Sequence, residues 1–173
     1  FLQTQKYVTV TFDDGYKDNL VEALPICQKH NVPFTIYVST SMLTRTAFLW
    51  WYVLEEILMS NTEIKLGNEI CVIKSLDEKN AMFDKIHAIL SQRDTNECQQ
   101  WSDEMGFNWI ETNQRLNNQL CLSNDDLVLL GKEKLCTIGS HTIPHARLTK
   151  QLLDIRIKEL SNSKKFLEAI IEK

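Results

Sequence analysis

Threonine and large apolar positions alternate through Tyr7, Val8, Thr9, Val10, Thr11 and Phe12. A β-branched and aromatic run with period two predicts a strand over residues 7–12. Asp13, Asp14 and Gly15 follow as a turn signal. Asn19 with Glu22 after it reads as a capping box, and Leu20, Ala23, Leu24 and Cys27 recur at helical spacing. Pro25 inside that pattern predicts a kink or a restart of the helix. Asn31, Val32 and Pro33 close it, and residues 34–38 predict a second strand. Strand, helix and strand at this spacing form a βαβ unit and hence a parallel sheet.

The middle of the chain breaks this rhythm. Residues 49–59 predict a helix with Trp51, Leu54 and Leu58 on one face. Residues 64–66 and 70–73 flank Gly67 and Asn68 and predict a hairpin. Ser75 with Glu78 forms a capping box ahead of Met82, Phe83, Ile86, Ile89 and Leu90, an amphipathic helix. A further helix carries Cys98, Trp101 and Met105. No Gly/Ser/Pro-rich linker and no repeat separates this stretch. The expectation is a single domain over residues 1–173 with a largely helical insertion or lid over residues 40–122. Beyond it the βα rhythm returns. Ser123 caps a helix through Leu130, residues 135–138 predict a third strand, Gly139, Ser140 and His141 open a loop, and a long final helix runs from Leu148 onward.

Composition narrows the function classes. The chain has 173 residues, 19 Lys+Arg against 23 Asp+Glu, and a net charge of −4, with 43% hydrophobic and 24% charged residues. These are the values of a soluble globular domain large enough to bury its own core. The acidic balance speaks against nucleic acid as a partner. No apolar run reaches the ~18–20 residues that span a bilayer. Cys27, Cys71, Cys98, Cys121 and Cys136 are scattered, odd in number and never spaced C-x-x-C. They form neither a disulfide framework nor a zinc module. Buried free thiols favour a reducing, cytoplasmic compartment, whereas a signal segment ahead of Phe1 would place the chain in the cell envelope.

Two clusters carry chemistry: Asp13 and Asp14 after the first strand, and His141 and His145 after the third. In parallel α/β architectures, residues past the carboxyl ends of different strands converge on one face. Strand parity puts Asp13 with Thr9 and Thr11, opposite Val8, Val10 and Phe12, which suggests a barrel interior with Asp13 at its mouth. A carboxylate and two imidazoles make a three-ligand site for a divalent metal, and a second carboxylate supplies a base for water. Metal-assisted hydrolysis is the implied chemistry. His30 reads instead as a solvated cation at a helix C-terminus, and His87 as a boundary residue. Trp50, Trp51, Trp101 and Trp109 could stack on sugars but sit in helical patterns that suit a core.

Thr11, Phe12, Asp13, Asp14 and Gly15 resemble the first motif of the polysaccharide deacetylase family, the NodB-homology domain of carbohydrate esterase family four. Ser140, His141, Thr142, Ile143, Pro144 and His145 resemble its second motif. Residues 32–38 are similar to its second strand. The resemblance implies a partial (β/α) barrel of α/β class, with the insertion between its second and third strands. It implies Asp13 as the catalytic base and Asp14, His141 and His145 as metal ligands. It also implies removal of N-acetyl groups from hexosamine units of an acetylated polysaccharide or oligosaccharide. Two imidazoles and a carboxylate suit zinc, with cobalt or nickel as alternatives. Some relatives remove O-acetyl esters, and a carbohydrate-binding module that keeps the metal site without catalysis is a further alternative.

The family also carries an arginine near a proline that orients the base, and a late histidine that acts as general acid. In this chain prolines stand only at positions 25, 33 and 144, and no histidine follows His145. The expectation is therefore the N-terminal portion of a deacetylase domain, poorly active or inactive alone. An exposed sheet edge would invite self-association.

Overall fold

The computed structural model describes residues 7–106, 108–145 and 147–172. Its first strand, β1 (Val10–Asp14), starts later than the alternation predicts. The reason is pairing: Val10 lies opposite Phe34, the first residue of β2 (Phe34–Val38), so Tyr7, Val8 and Thr9 stand outside the ladder. Tyr7 and Val8 are exposed. β2 pairs on its other side with β5 (Cys136–Ser140), giving a three-stranded parallel sheet in the order β1-β2-β5. Asp14, Val38 and Ser140 share one register row at the carboxyl ends. The described residues contain no closed barrel. The fold is α/β.

The link from β1 to β2 is not the capped helix expected at Asn19. Residues Asn19–Ala23 form a π-helical turn that runs into α1 (Leu24–His30), with the Leu24 N–H bonded to the Asn19 carbonyl. Pro25 at the start of α1 has no N–H to give the preceding turn, and the wider turn absorbs the loss. Asn19 donates to Asp18 and its own Oδ1 has no partner, so it makes no cap.

The chain divides into two compact units, one from Phe1–Arg45 with Leu120–Lys173, the other Thr46–Gln119. The first contains the sheet, α1, the short α2 (Thr40–Leu43) and two later helices. One face of the sheet is apolar: Phe34, Ile36, Val38 and Cys136 are buried with Cys27, Leu43, Leu122, Leu127, Leu130 and Leu167. Phe12 meets Phe34 edge-on at 5.8 Å. The opposite face carries Thr11, Asp13, Tyr37 and Thr137, all exposed. Burial on one side and polarity on the other follow from period-two alternation in all three strands.

The second unit holds α3 (Trp50–Ser60), the antiparallel hairpin β3 (Glu63–Leu66) and β4 (Glu69–Val72), and α4 (Leu76–Leu90). It continues with α5 (Thr95–Glu104) and α6 (Trp109–Leu120). Ser75 and Glu78 form the expected reciprocal capping box, and Asp94 and Glu97 form a second. Leu54, Leu58, Ile64, Ile73, Ile86 and Leu90 build its core with Cys98 and Trp101. Trp50 and Trp109 pack against that core half-buried, as the helical spacing suggested. α6 was not apparent in the apolar pattern because its buried positions are Leu116 and the polar Asn117.

The first unit resumes with α7 (Asn124–Lys132), capped by Ser123 and Asp126, then β5. The expected single helix from Leu148 is instead a 3₁₀ turn at Leu148–Lys150 followed by α8 (Leu153–Ile171). Phe166, Leu167, Ile170 and Ile171 carry α8 onto the sheet core.

Candidate metal centre

β1 ends by turning sharply at Asp14, whose φ is 72°, and Gly15, whose φ is 95°. The turn swings Asp14 out of the strand alternation. Asp13 stays on the exposed polar face, while Asp14 is half-buried beside the end of β5. The Asp14 carbonyl accepts from the Ser39 N–H at 3.0 Å, and the Gly15 carbonyl accepts from the Leu122 N–H at 3.0 Å. The carboxylate therefore sits on a backbone held from two sides.

The imidazoles arrive from the loop after β5. The His141 N–H donates to the Val38 carbonyl at 2.9 Å, extending the β2–β5 ladder by one bond. Thr142 and His145 adopt left-handed backbone, with φ of 66° and 59°. Non-glycine residues in that region cost about 1–3 kcal/mol each and persist only where their surroundings enforce them. Here the Thr40 N–H donates to the Thr142 carbonyl, and the Ser41 N–H and Ser39 Oγ both donate to the Ile143 carbonyl, the last at 2.6 Å. The Ile143 N–H donates to Glu159 Oε2 on α8 at 3.0 Å.

Asp14, His141 and His145 meet as a result. Each imidazole Nε2 lies 3.5 Å from Asp14 Oδ1, and the rings are 4.8 Å apart between centroids. One ligand atom from each residue lies within 4.8 Å of the other two. Asp14 Oδ1 is buried yet has no hydrogen-bond partner, because both nitrogens stand at ion-pair distance outside bonding geometry. Two ligands ~2.0–2.1 Å from a tetrahedral zinc are ~3.3–3.4 Å apart. The orphaned oxygen and the observed spacings fit a divalent cation held by these three groups.

The other site candidates lie elsewhere. Asp13 stands outside the three-residue group and makes no side-chain hydrogen bond or ion pair among the described residues. His30 is exposed in the last turn of α1. His87 stacks on Phe83 at 5.8 Å and tilts against Trp50 at 5.3 Å in the other unit. The motifs did not reveal Ser39, Ser41, Glu159 or Ser163. A signal existed, because Ser39, Thr40 and Ser41 are a polar run directly after a buried strand. Glu159 and Ser163 likewise occupy the stripe that Phe166, Leu167 and Ile170 continue.

Residues 3–68 match the polysaccharide deacetylase family model. That segment carries β1, the Asp13–Asp14–Gly15 turn and β2. It stops before His141 and His145, whose place beside Asp14 rests on the structure. The match supports deacetylase or carbohydrate esterase chemistry in a hydrolase family, with a carbohydrate as substrate. The family is in general metal-dependent, and the Asp14, His141 and His145 group is the matching candidate site. No curated protein and no solved structure matches the chain. Among the described residues no helix is long and apolar enough to cross a membrane.

Proposed function

We propose that the chain is part of a metal-dependent hydrolase that removes N-acetyl groups from hexosamine units of a polysaccharide. The observation that carries this reading is the convergence of Asp14 Oδ1, His141 and His145 at the carboxyl ends of β1 and β5. Those three residues hold the cation, with zinc favoured over cobalt or nickel by the two imidazoles and one carboxylate. A divalent cation bound there supplies Lewis-acid polarisation of an acetyl carbonyl and acidifies water. Asp13, next in sequence and on the open sheet face, accepts the proton of the attacking water at its carboxylate. The acyl carbon–nitrogen bond then breaks, giving acetate and the free amine once the amine has taken a proton. Residues 40–122 are an insertion within one such domain on this reading. The outer edges of β1 and β5 have no strand partner among the described residues. That supports self-association through a sheet edge, which sedimentation equilibrium tests.

Zinc titration of the wild type, His145→Ala and His87→Ala tests the ligand assignment. His145→Ala should lose more than the ~10–100-fold in affinity that outer partners of a ligand typically contribute. His87→Ala should bind as the wild type does. Equal affinities in all three proteins would refute it. Acetate release from N-acetylated against O-acetylated oligosaccharides separates amidase from esterase. Metal and sugar binding without acetate from either would instead favour the non-catalytic module.

A further inference from the structure

The loop that bears His141 and His145 is fastened to α8 at two points. Glu159 Oε2 accepts from the Ile143 N–H at 3.0 Å, between the two histidines. Ser163 Oγ meets Ser140 Oγ at 2.5 Å, directly before His141. Ser163 also donates to the Glu159 carbonyl at 2.6 Å, so the proton shared with Ser140 comes from Ser140. Glu159 and Ser163 are four residues apart and therefore stacked on one face of the helix. Ser163 is fully buried. Neither is among the three ligand residues, and both replace apolar side chains on the stripe that seats α8 on the sheet.

From this geometry we infer that Glu159 is a positioning residue for the His141 and His145 pair, with Ser163 as its second anchor. The inference rests on the metal-site reading above. An apolar residue at position 159 would still seat the helix but would leave the Ile143 N–H without an acceptor. The left-handed Thr142 and His145 would then lose the α8 anchor that lies between the two histidines, and only the Ser140–Ser163 contact before His141 would remain on that side. Between the two histidines, the bonds from Ser39, Thr40 and Ser41 to the Thr142 and Ile143 carbonyls would no longer be opposed by one from α8. The two Nε2 atoms keep their common distance to Asp14 because the loop is gripped on both sides.

Cobalt(II) titration followed by visible absorption tests this in Glu159→Ala, Glu159→Gln, Ser163→Ala and Glu168→Ala. Glu159→Ala should weaken cobalt binding about 10–100-fold and change the absorption band. Glu159→Gln keeps a carbonyl oxygen for the Ile143 N–H and should stay within a few-fold of the wild type. Ser163→Ala should show a smaller loss, and it carries the test if Glu159→Ala does not fold. Glu168, paired with Lys164 on the same helix at 3.6 Å, serves as control and should have no effect. Unchanged affinity in Glu159→Ala would overturn the inference, and so would Glu159→Gln as weak as Glu159→Ala. If the wild type itself takes up no cobalt, the metal-site reading fails and the metal-free protein decides the positioning. There Glu159→Ala should move the His141 and His145 ring resonances and leave those of His30 and His87. Unmoved rings would refute it.

Discussion

Replacing Gly15 by alanine tests whether the turn that aims Asp14 depends on the absence of a side chain. Gly15 has a φ of 95°, and a Cβ there would lie 2.9 Å from Val38 Cγ1 and 3.6 Å from Val38 Cβ. Two costs follow. Left-handed backbone in an L-residue costs about 1–2 kcal/mol. Val38 is fully buried and cannot swing aside, so the clash behaves as overpacking of a filled core, about 1–3 kcal/mol. Gly15→Ala should therefore lose about 2–5 kcal/mol, and since ~1.4 kcal/mol is tenfold, amides that exchange by global opening accelerate about 30- to 4000-fold. The Ile36 and Val38 amides in the middle strand are the probes, read by native-state hydrogen exchange. Tryptophan fluorescence would not serve, because all four tryptophans lie in the Thr46–Gln119 unit. A double-mutant cycle with Val38→Ala separates the two costs. The clash should vanish in that background, giving a coupling of about 1–3 kcal/mol, while the backbone cost remains. Exchange less than threefold faster in Gly15→Ala, or no coupling to Val38, would refute the reasoning.

Asp13→Asn should leave zinc bound while lowering acetate release about 10²–10⁴-fold, whereas Asp14→Asn should lose zinc and rate together. The reverse pattern, by titration and rate assay, would exchange the two roles. Burial pushes the Cys121 thiol above its ordinary value, more than Arg45 offsets. Between the ordinary value of 9.0 and the raised folded value, the unfolded chain holds fewer protons, so this contribution to stability falls as pH rises past about 9. Urea midpoints from pH 7.5 to 10 should drop less steeply in Cys121→Ala than in the wild type, and parallel curves would contradict the assignment.

Local chemistry made several elements legible without coordinates. β2 reads from its own residues because Phe34, Ile36 and Val38 form the buried parity and Pro33 marks the start. The hairpin reads from Gly67 and Asn68, and α4 and α7 read from Ser75 and Ser123, whose caps need only partners three residues away. Elements whose limits depend on distant chain were read less well. β1 begins where β2 offers a partner, the π turn at Asn19–Ala23 answers Pro25, and α8 starts at Leu153 where the 3₁₀ turn ends.

The candidate site divides along the same line. The spacing of His141 and His145 and the Asp13–Asp14–Gly15 turn are one-dimensional facts, and with the strand signals they were enough to suggest one metal-binding constellation. The family resemblance implies Asp14 as the ligand, but only the tertiary structure shows its carboxylate, rather than that of Asp13, facing the imidazoles. Alternation alone assigns Asp13 to the polar face and is silent on Asp14, whose direction is set by a left-handed turn locked against Val38 and Ser39. The anchors at Glu159 and Ser163 were equally out of reach. A polar residue on an apolar stripe is visible in the sequence, but the backbone N–H or hydroxyl it meets belongs to another part of the chain. Hydrophobic period and capping act over a few residues and are written in order. Register, strained loops and convergent side chains arise from contacts between residues far apart in that order, so only the folded chain specifies them.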